Sequence, residues 1–172
     1  MVADILGWCK SIVAITPMRW LSLVDSTPLE LLLKTPAPGE WSALQCLQHL
    51  VEVERSAYPT RIKALLAGDP FPGFNPNANG AGHQPTAALA TEFNLLRSEN
   101  LKLLNQVTEV DLERRALHAE YGMVSMREFL HHWAAHDLMH TVQGERALMQ
   151  PFIQGCGPWQ INYTDHTVKV SD

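Results

Sequence analysis

Apolar residues recur along this chain at intervals of three and four, and the runs that carry them are bounded by helix signals. Near the N-terminus Ile5, Cys9 and Ile12 share one side of a helix. Thr16-Pro17 and Ser26-Thr27-Pro28 each put a capping residue before a proline, the arrangement of a helical first turn. They predict short helices near 17–25 and 28–33, and "TPAPGE" then reads as a loop. Ser42 and Gln45 form a capping box flanked by a Trp41–Cys46 staple, and the helix they open should reach Ala67, where Gly68 stops it. Pro59 lies inside that helix and should kink or split it. Thr86 opens a third long helix, whose seam of Leu89, Phe93, Leu96, Leu103 and Val107 has polar Asn100 in one slot. A second capping box, Ser125 with Glu128, carries a Val124–Phe129 staple and starts a helix expected to run to about Leu148.

No alternating strand pattern competes with these helices, although "INYTDHTVKV" could form a short strand or an extended tail. The architecture expected is all-α: a four-helix bundle with an extra N-terminal helix, a long crossover loop and a C-terminal tail. The crossover, residues 68–85, holds four prolines, four glycines and three asparagines, and should cross the bundle end or cover a site. In the tail, from Met149 onward, Phe152, Ile153 and Trp159 are expected to pack on the bundle.

Composition narrows the field. A chain of 172 residues is expected to form one domain, residues 1–172, with its bundle core at about 16–148. A net charge of -5 and the lack of any Lys/Arg block argue against nucleic acid as a partner. The N-terminal segment lacks a basic start, carries Asp4 and Lys10, and nothing approaches an uninterrupted membrane span, so neither a signal peptide nor a membrane is expected. Cys9, Cys46 and Cys156 are far apart with no C-x-x-C pair. A reducing cytoplasm fits them, as small apolar fillers rather than nucleophiles.

The chemistry concentrates in "FLHHWAAHDLMH". His132, His136 and His140 are spaced four apart and stack along one helical line. His136 and His140 point the same way and make a ligand pair, for which imidazole suits zinc, nickel, copper and iron. A third ligand must come from elsewhere, because His132 and His140 are separated by ~12 Å along the axis. His132 is therefore expected to be a cleft residue or a partner to the ligands. His49 is the better third donor. The apolar stripe of its helix runs through Leu44, Leu47, Val51, Tyr58 and Leu65, and His49 lies roughly opposite, with Cys46, Val53 and Ser56. That leaves two readings open: an exposed side chain, or one lining a polar cleft. His83, His118, His131 and His166 are assigned structural or solvent roles, and Glu52 a solvated charge or an acceptor orienting His49. The H-E-x-x-H protease motif is discounted, since its glutamate is replaced by Asp137.

The stretches "PAPGEWSALQCLQHLVEVE" and "SMREFLHHWAAHDLMHTVQGE" resemble the DinB-like (damage-inducible) helical-bundle family. That family shows a Pro-Gly-x-Trp-Ser entry, a His-Leu-x-acid-x-Glu segment and a closing His-(Asp/Glu)-x-x-His followed by Gln. The resemblance spans about Thr16 to Leu148 and implies a divalent metal on His49, His136 and His140, with Gln143 on the trailing glutamine. Zinc or nickel is the expected ion, with an open coordination position. It further implies a homodimer and an enzyme acting on a small molecule: a transferase using a low-molecular-weight thiol such as bacillithiol or mycothiol, or a hydrolase. The alternative is a non-catalytic metal-binding or stress-response module.

Overall fold

A computed structural model describes residues 4–74 and 86–168. Among these, the helices are α1 (Ile5–Ser26), α2 (Leu29–Leu33), α3 (Ala43–Glu52), α4 (Tyr58–Ala67), α5 (Thr86–Leu104) and α6 (Met126–Gly155). A hairpin of β1 (Arg115–His118) and β2 (Gly122–Ser125) precedes α6, antiparallel, with Arg115 opposite Ser125. The bundle consists of α1, the α3–α4 unit, α5 and α6, with α1 and α3 each packed on both α5 and α6. Contacts between α1 and α6 climb in the same order, from Cys9 with Ala134 to Trp20 with Gly144, so these two helices run parallel. No described helix is long and apolar enough to cross a membrane.

Both capping boxes form: Ser42 Oγ accepts from Gln45 N at 3.2 Å and Ser125 Oγ from Glu128 N at 3.2 Å, while each partner side chain reaches back to the cap. Gly68 ends α4 at φ 80°, a left-handed cap that a Cβ would strain.

Pro17 and Pro59 are accommodated in different ways. Thr16-Pro17 does not start a helix; α1 runs through it as one helix, and the segment near 17–25 is its second half. Thr16 Oγ1 bonds back to the Ile12 carbonyl at 2.9 Å. Pro17 has no N–H for the Val13 carbonyl, and that carbonyl instead accepts from the buried guanidinium of Arg97. Pro59 is absorbed by a π-helical turn, Val53–Ala57, in which the Tyr58 N–H reaches the Val53 carbonyl. That turn divides α3 from α4 without breaking their path.

Among the described residues the core lies in two large clusters and a small third one of Leu32, Ala43 and Leu148. One large cluster gathers Val13, Tyr58, Ile62, Phe129 and Trp133; the other gathers Trp20, Leu47, Leu50, Ala90 and Phe93. Arg97 sits where they meet, its guanidinium 5.0 Å from the Phe93 ring and 5.3 Å from the Trp133 ring. Its carboxylate partners are Glu54 at 2.8 Å and Asp137 at 2.7 Å. The seam on α5 accordingly buries Leu89, Phe93, Arg97, Asn100 and Leu104, with Leu103 only partly covered.

Beyond Leu148, α6 continues to Gly155 with Pro151 inside it. The following segment forms a 3-10 turn, Gly157–Tyr163, rather than a strand, and residues 169–172 lie outside the described part. Of the apolar residues expected to anchor the tail, Ile153 is buried, but Phe152 and Trp159 are 67% and 65% exposed. The anchor is polar: Arg146 donates to the carbonyls of His166 at 2.9 Å and Thr167 at 3.0 Å.

Candidate metal centre

Helices α3 and α6 cross so that Trp41 meets His140 and Tyr58 meets Trp133, an antiparallel pairing that places His49 between His136 and His140. The helix α3 is covered on two sides. It packs on both α5 and α6, and Cys46 and Val53, near His49 on the helical wheel, are buried along with Leu47 and Val51 of the main stripe. His49 is thus a cleft residue rather than an exposed one, half-buried at the α3–α6 seam.

One donor atom from each of His49, His136 and His140 falls within 4.8 Å of the others. The Nε2 atoms of His49 and His136 are 3.0 Å apart. Two imidazole nitrogens bound tetrahedrally to one ion at 2.0–2.1 Å would be separated by about 3.3 Å, so this pair fits one divalent cation with only slight adjustment. The fourth corner is supplied by no described side chain in the group, which leaves the open arrangement of a reactive centre.

The rings are held in ligand-ready tautomers. His140 donates from Nδ1 to Gln143 Oε1 at 2.9 Å, leaving its Nε2 lone pair free. His136 Nδ1 lies 2.8 Å from the Tyr58 hydroxyl, which accepts from it in the tautomer that leaves Nε2 free. Burial pushes the His136 pKa down to about 2, helped by His140 and His49, and pushes His49 down to about 4, helped by His140. Burial also lowers His140, against the opposing pull of Gln143 and Asp137. All three are neutral imidazoles, the form that binds metal. Trp41 stacks on His140 with ring centroids 5.6 Å apart, and Phe74 meets His49 edge-on at 5.5 Å.

His132 is exposed and lies 5.5 Å from His136 between ring centroids, outside the donor group. It borders a cavity of about 400 Å³ that also reaches His49 and His136. His118, assigned a structural or solvent role from sequence, lines that cavity too; His131 and His166 are exposed, and His83 lies outside the described residues. The start of the Pro/Asn-rich crossover contributes Phe71 and Phe74 to the cavity wall, and residues 75–85 lie outside the described part. Asp137 lies outside the donor group, with both its oxygens bound to Arg97, and acts on His140 only through its charge.

Sequence reasoning missed Tyr58 as a partner of His136, counting it only in an apolar stripe; the π-helical turn shifts the helical phase before it. It also left Arg97 unremarked, although a lone arginine among Phe93, Leu96 and Leu104 was a visible signal.

A match to the family model described as the DinB superfamily covers residues 13–143, a span that contains all three histidines and ends on Gln143. The chain belongs to the DinB superfamily. Its fold is shared with a solved structure, YfiT from Bacillus subtilis, described as a probable metal-dependent hydrolase with an unusual four-helix bundle topology. The two superpose with a TM-score of 0.75 over 88% of this chain and 90% of that one, at 14% identity. Likeness at that identity is a statement about the fold of this DinB-superfamily chain. No curated protein matches it significantly.

Proposed function

We propose that this protein is a metal-dependent enzyme that holds one divalent cation on His49, His136 and His140 and acts on a small molecule entering from the adjoining cavity. The observation that carries the reading is the convergence of three neutral imidazoles from two helices at the wall of a cavity of about 400 Å³. When bound, such a cation supplies Lewis acidity, lowering the pKa of a water or thiol that ligates it. The chain's own groups do the rest. Gln143 and Tyr58 fix the rings of His140 and His136, Trp41 braces His140, and Phe74 shields His49 from bulk water.

Hydrolysis is the reaction favoured, because the similar bundle of YfiT is described as that of a probable metal-dependent hydrolase. A thiol transferase reaction is the second reading and rests on the family resemblance. Zinc or nickel suits the donor set. We also read the chain as one cytoplasmic domain that pairs as a homodimer. Trp8, Ile15 and Met18 on α1, and Leu138 and Val142 on the neighbouring α6, are large apolar side chains left exposed, and would suit such pairing.

Elemental analysis of protein purified without an affinity tag tests the central claim. The parent is expected to carry stoichiometric metal and His49→Ala to lose it. Sub-stoichiometric metal in the parent, or unchanged metal in the variant, would overturn the assignment. Hydrolysable esters and amides, and thiols paired with electrophiles, then separate the two chemistries, with turnover expected to vanish in His136→Ala. Full metal occupancy without turnover on either panel would favour the non-catalytic binding module.

A further inference from the structure

The cavity beside the histidines is lined by two polar side chains, each with one buried nitrogen donor left without an acceptor. Arg61, on α4, lines it with a buried Nε that has no hydrogen-bond acceptor. Its Nη1 lies 3.4 Å from His132 Nε2, a long contact between groups that carry no opposite charge. Among the described residues no carboxylate forms an ion pair with it. His118, at the end of β1, is 4% exposed. Its Nδ1 accepts from the backbone N–H groups of Glu120 at 3.0 Å and Tyr121 at 3.4 Å, which puts the ring proton on Nε2. That Nε2 is buried and has no partner.

Buried donors without acceptors are costly, and the Arg61 guanidinium feels the charge of exposed Glu120 without forming an ion pair with it. Two such orphans in the wall of one cavity mark a place built for an acceptor from outside. Both are donors only, so the matching group is acceptor-only, and a single guanidinium matches a single negative charge. The two acids that share the cavity do not fill the role. Glu128 is engaged at 2.7 Å by the Ser125 N–H and hydroxyl, and Glu120 is exposed and unpaired with Arg61. Around the two donors the wall is aromatic, with Phe71 against the His118 ring at 5.1 Å and Phe74 against His49.

We propose that this cavity binds a small monocarboxylic acid with an apolar body, its carboxylate seated on Arg61 and His118 and its other end turned toward His49 and His136. That the bound acid is a substrate rests on the metal-enzyme reading above; that the cavity selects an acid does not.

The test therefore uses full-length protein stripped of metal with a chelator, so that no carboxylate can be captured by an ion. Phenylacetate and its neutral counterpart phenylacetamide are titrated against it by NMR or calorimetry. The acid is expected to bind about tenfold tighter than the amide, the scale of one charge-assisted pair. Arg61→Gln is expected to erase that preference, Arg61→Lys to retain part of it, and His118→Phe to weaken acid binding by a few-fold. Zinc affinity, measured separately, is expected to persist in Arg61→Gln, showing that the bundle and its histidines remain in place. Equal binding of acid and amide by the parent, no detectable binding of the acid, or a preference that survives Arg61→Gln would each overturn the proposal. Loss of the metal assignment would leave this comparison standing.

Discussion

Replacing Arg97 by Met is the most demanding test of how the bundle is held together. Methionine keeps an apolar stem between Phe93 and Trp133 but removes the guanidinium. Glu54 and Asp137, both with fully buried side chains, then lose their cation. The Val13 carbonyl, left without a helical donor by Pro17, loses its partner as well. Orphaning a buried charge costs about 3–5 kcal/mol, and an unsatisfied buried carbonyl about 1–3 kcal/mol more. The protein has one escape: a buried carboxylate can take up a proton. At pH 7, some three units above the ordinary carboxylate range, this costs about 4 kcal/mol at ~1.4 kcal/mol per unit. With the carbonyl counted in both, the routes give about 4–8 and about 5–7 kcal/mol, so the loss should be at least about 4 kcal/mol, a large share of the ~5–15 kcal/mol that holds a typical domain.

Urea unfolding with chelator present, to exclude stabilisation by bound metal, should show the midpoint falling by at least about 2 M if the slope is ~2 kcal/mol per M. The sign of the pH dependence is equally diagnostic. Burial already pushes Glu54 and Asp137 upward, with Arg97 pulling them back, and without Arg97 their folded pKa values rise further above the unfolded ones. A raised acid destabilises the fold above its folded pKa and ceases to do so as pH falls below the unfolded one. The deficit of Arg97→Met should therefore shrink on acidification, by roughly 1.4 kcal/mol per pH unit for each proton taken up. A midpoint shift below about 0.5 M at pH 7, or a deficit equal at pH 5 and pH 7, would refute the electrostatic account.

Two further outcomes follow from close contacts. A Cβ on Gly144 would lie 2.7 Å from Cη2 of Trp20, a ring that is 1% exposed and enclosed by core, with the Ala43 Cα at 3.6 Å. Gly144→Ala should cost about 1–3 kcal/mol by overpacking and lower the melting temperature by several degrees; an unchanged melting curve would show that α1 and α6 do not approach this closely. Gln143→Leu removes the acceptor of the His140 Nδ1–H and should weaken metal binding by about 10–100-fold in a chelator competition while leaving urea stability of the metal-free protein nearly unchanged.

Local signals carried most of the fold. Two capping boxes and one glycine stop placed the ends of α3, α4 and α6, because caps act through residues three or four apart and need no tertiary context. The failures came where a distant group satisfied a local deficit. Thr16-Pro17 looks like a helix start because proline cannot serve the Val13 carbonyl, yet Arg97, from a helix far along the chain, does so. The hairpin escaped notice because "RALH" and "GMVS" are short and lack a convincing apolar alternation. For the site, the spacing of His136 and His140 was enough to pair them, but the helical wheel could only place His49 opposite its main stripe. Its meaning depended on α3 being covered from two sides. Arg61 and His118 were beyond reach, since their relevance lies in hydrogen bonds they do not make.

The adjacency of His136 and Asp137 joins these strands. Neighbouring residues on a helix point about 100° apart, so one turn of α6 can present an imidazole to the cleft and a carboxylate to the core. Asp137 uses both oxygens on Arg97, at 2.7 and 3.0 Å, and its Oδ atoms face the junction of the two large core clusters. A carboxylate so placed cannot reach a water beside His136, which excludes the general-base role that the second residue plays in H-E-x-x-H proteases. Its role is to hold. Glu54, five residues beyond His49, grips the same guanidinium from the α3 side, at 2.8 Å. One cation thus ties together the two helices that bring His49 to His136 and His140, through carboxylates that sit on the core-facing flank of each helix beside the site.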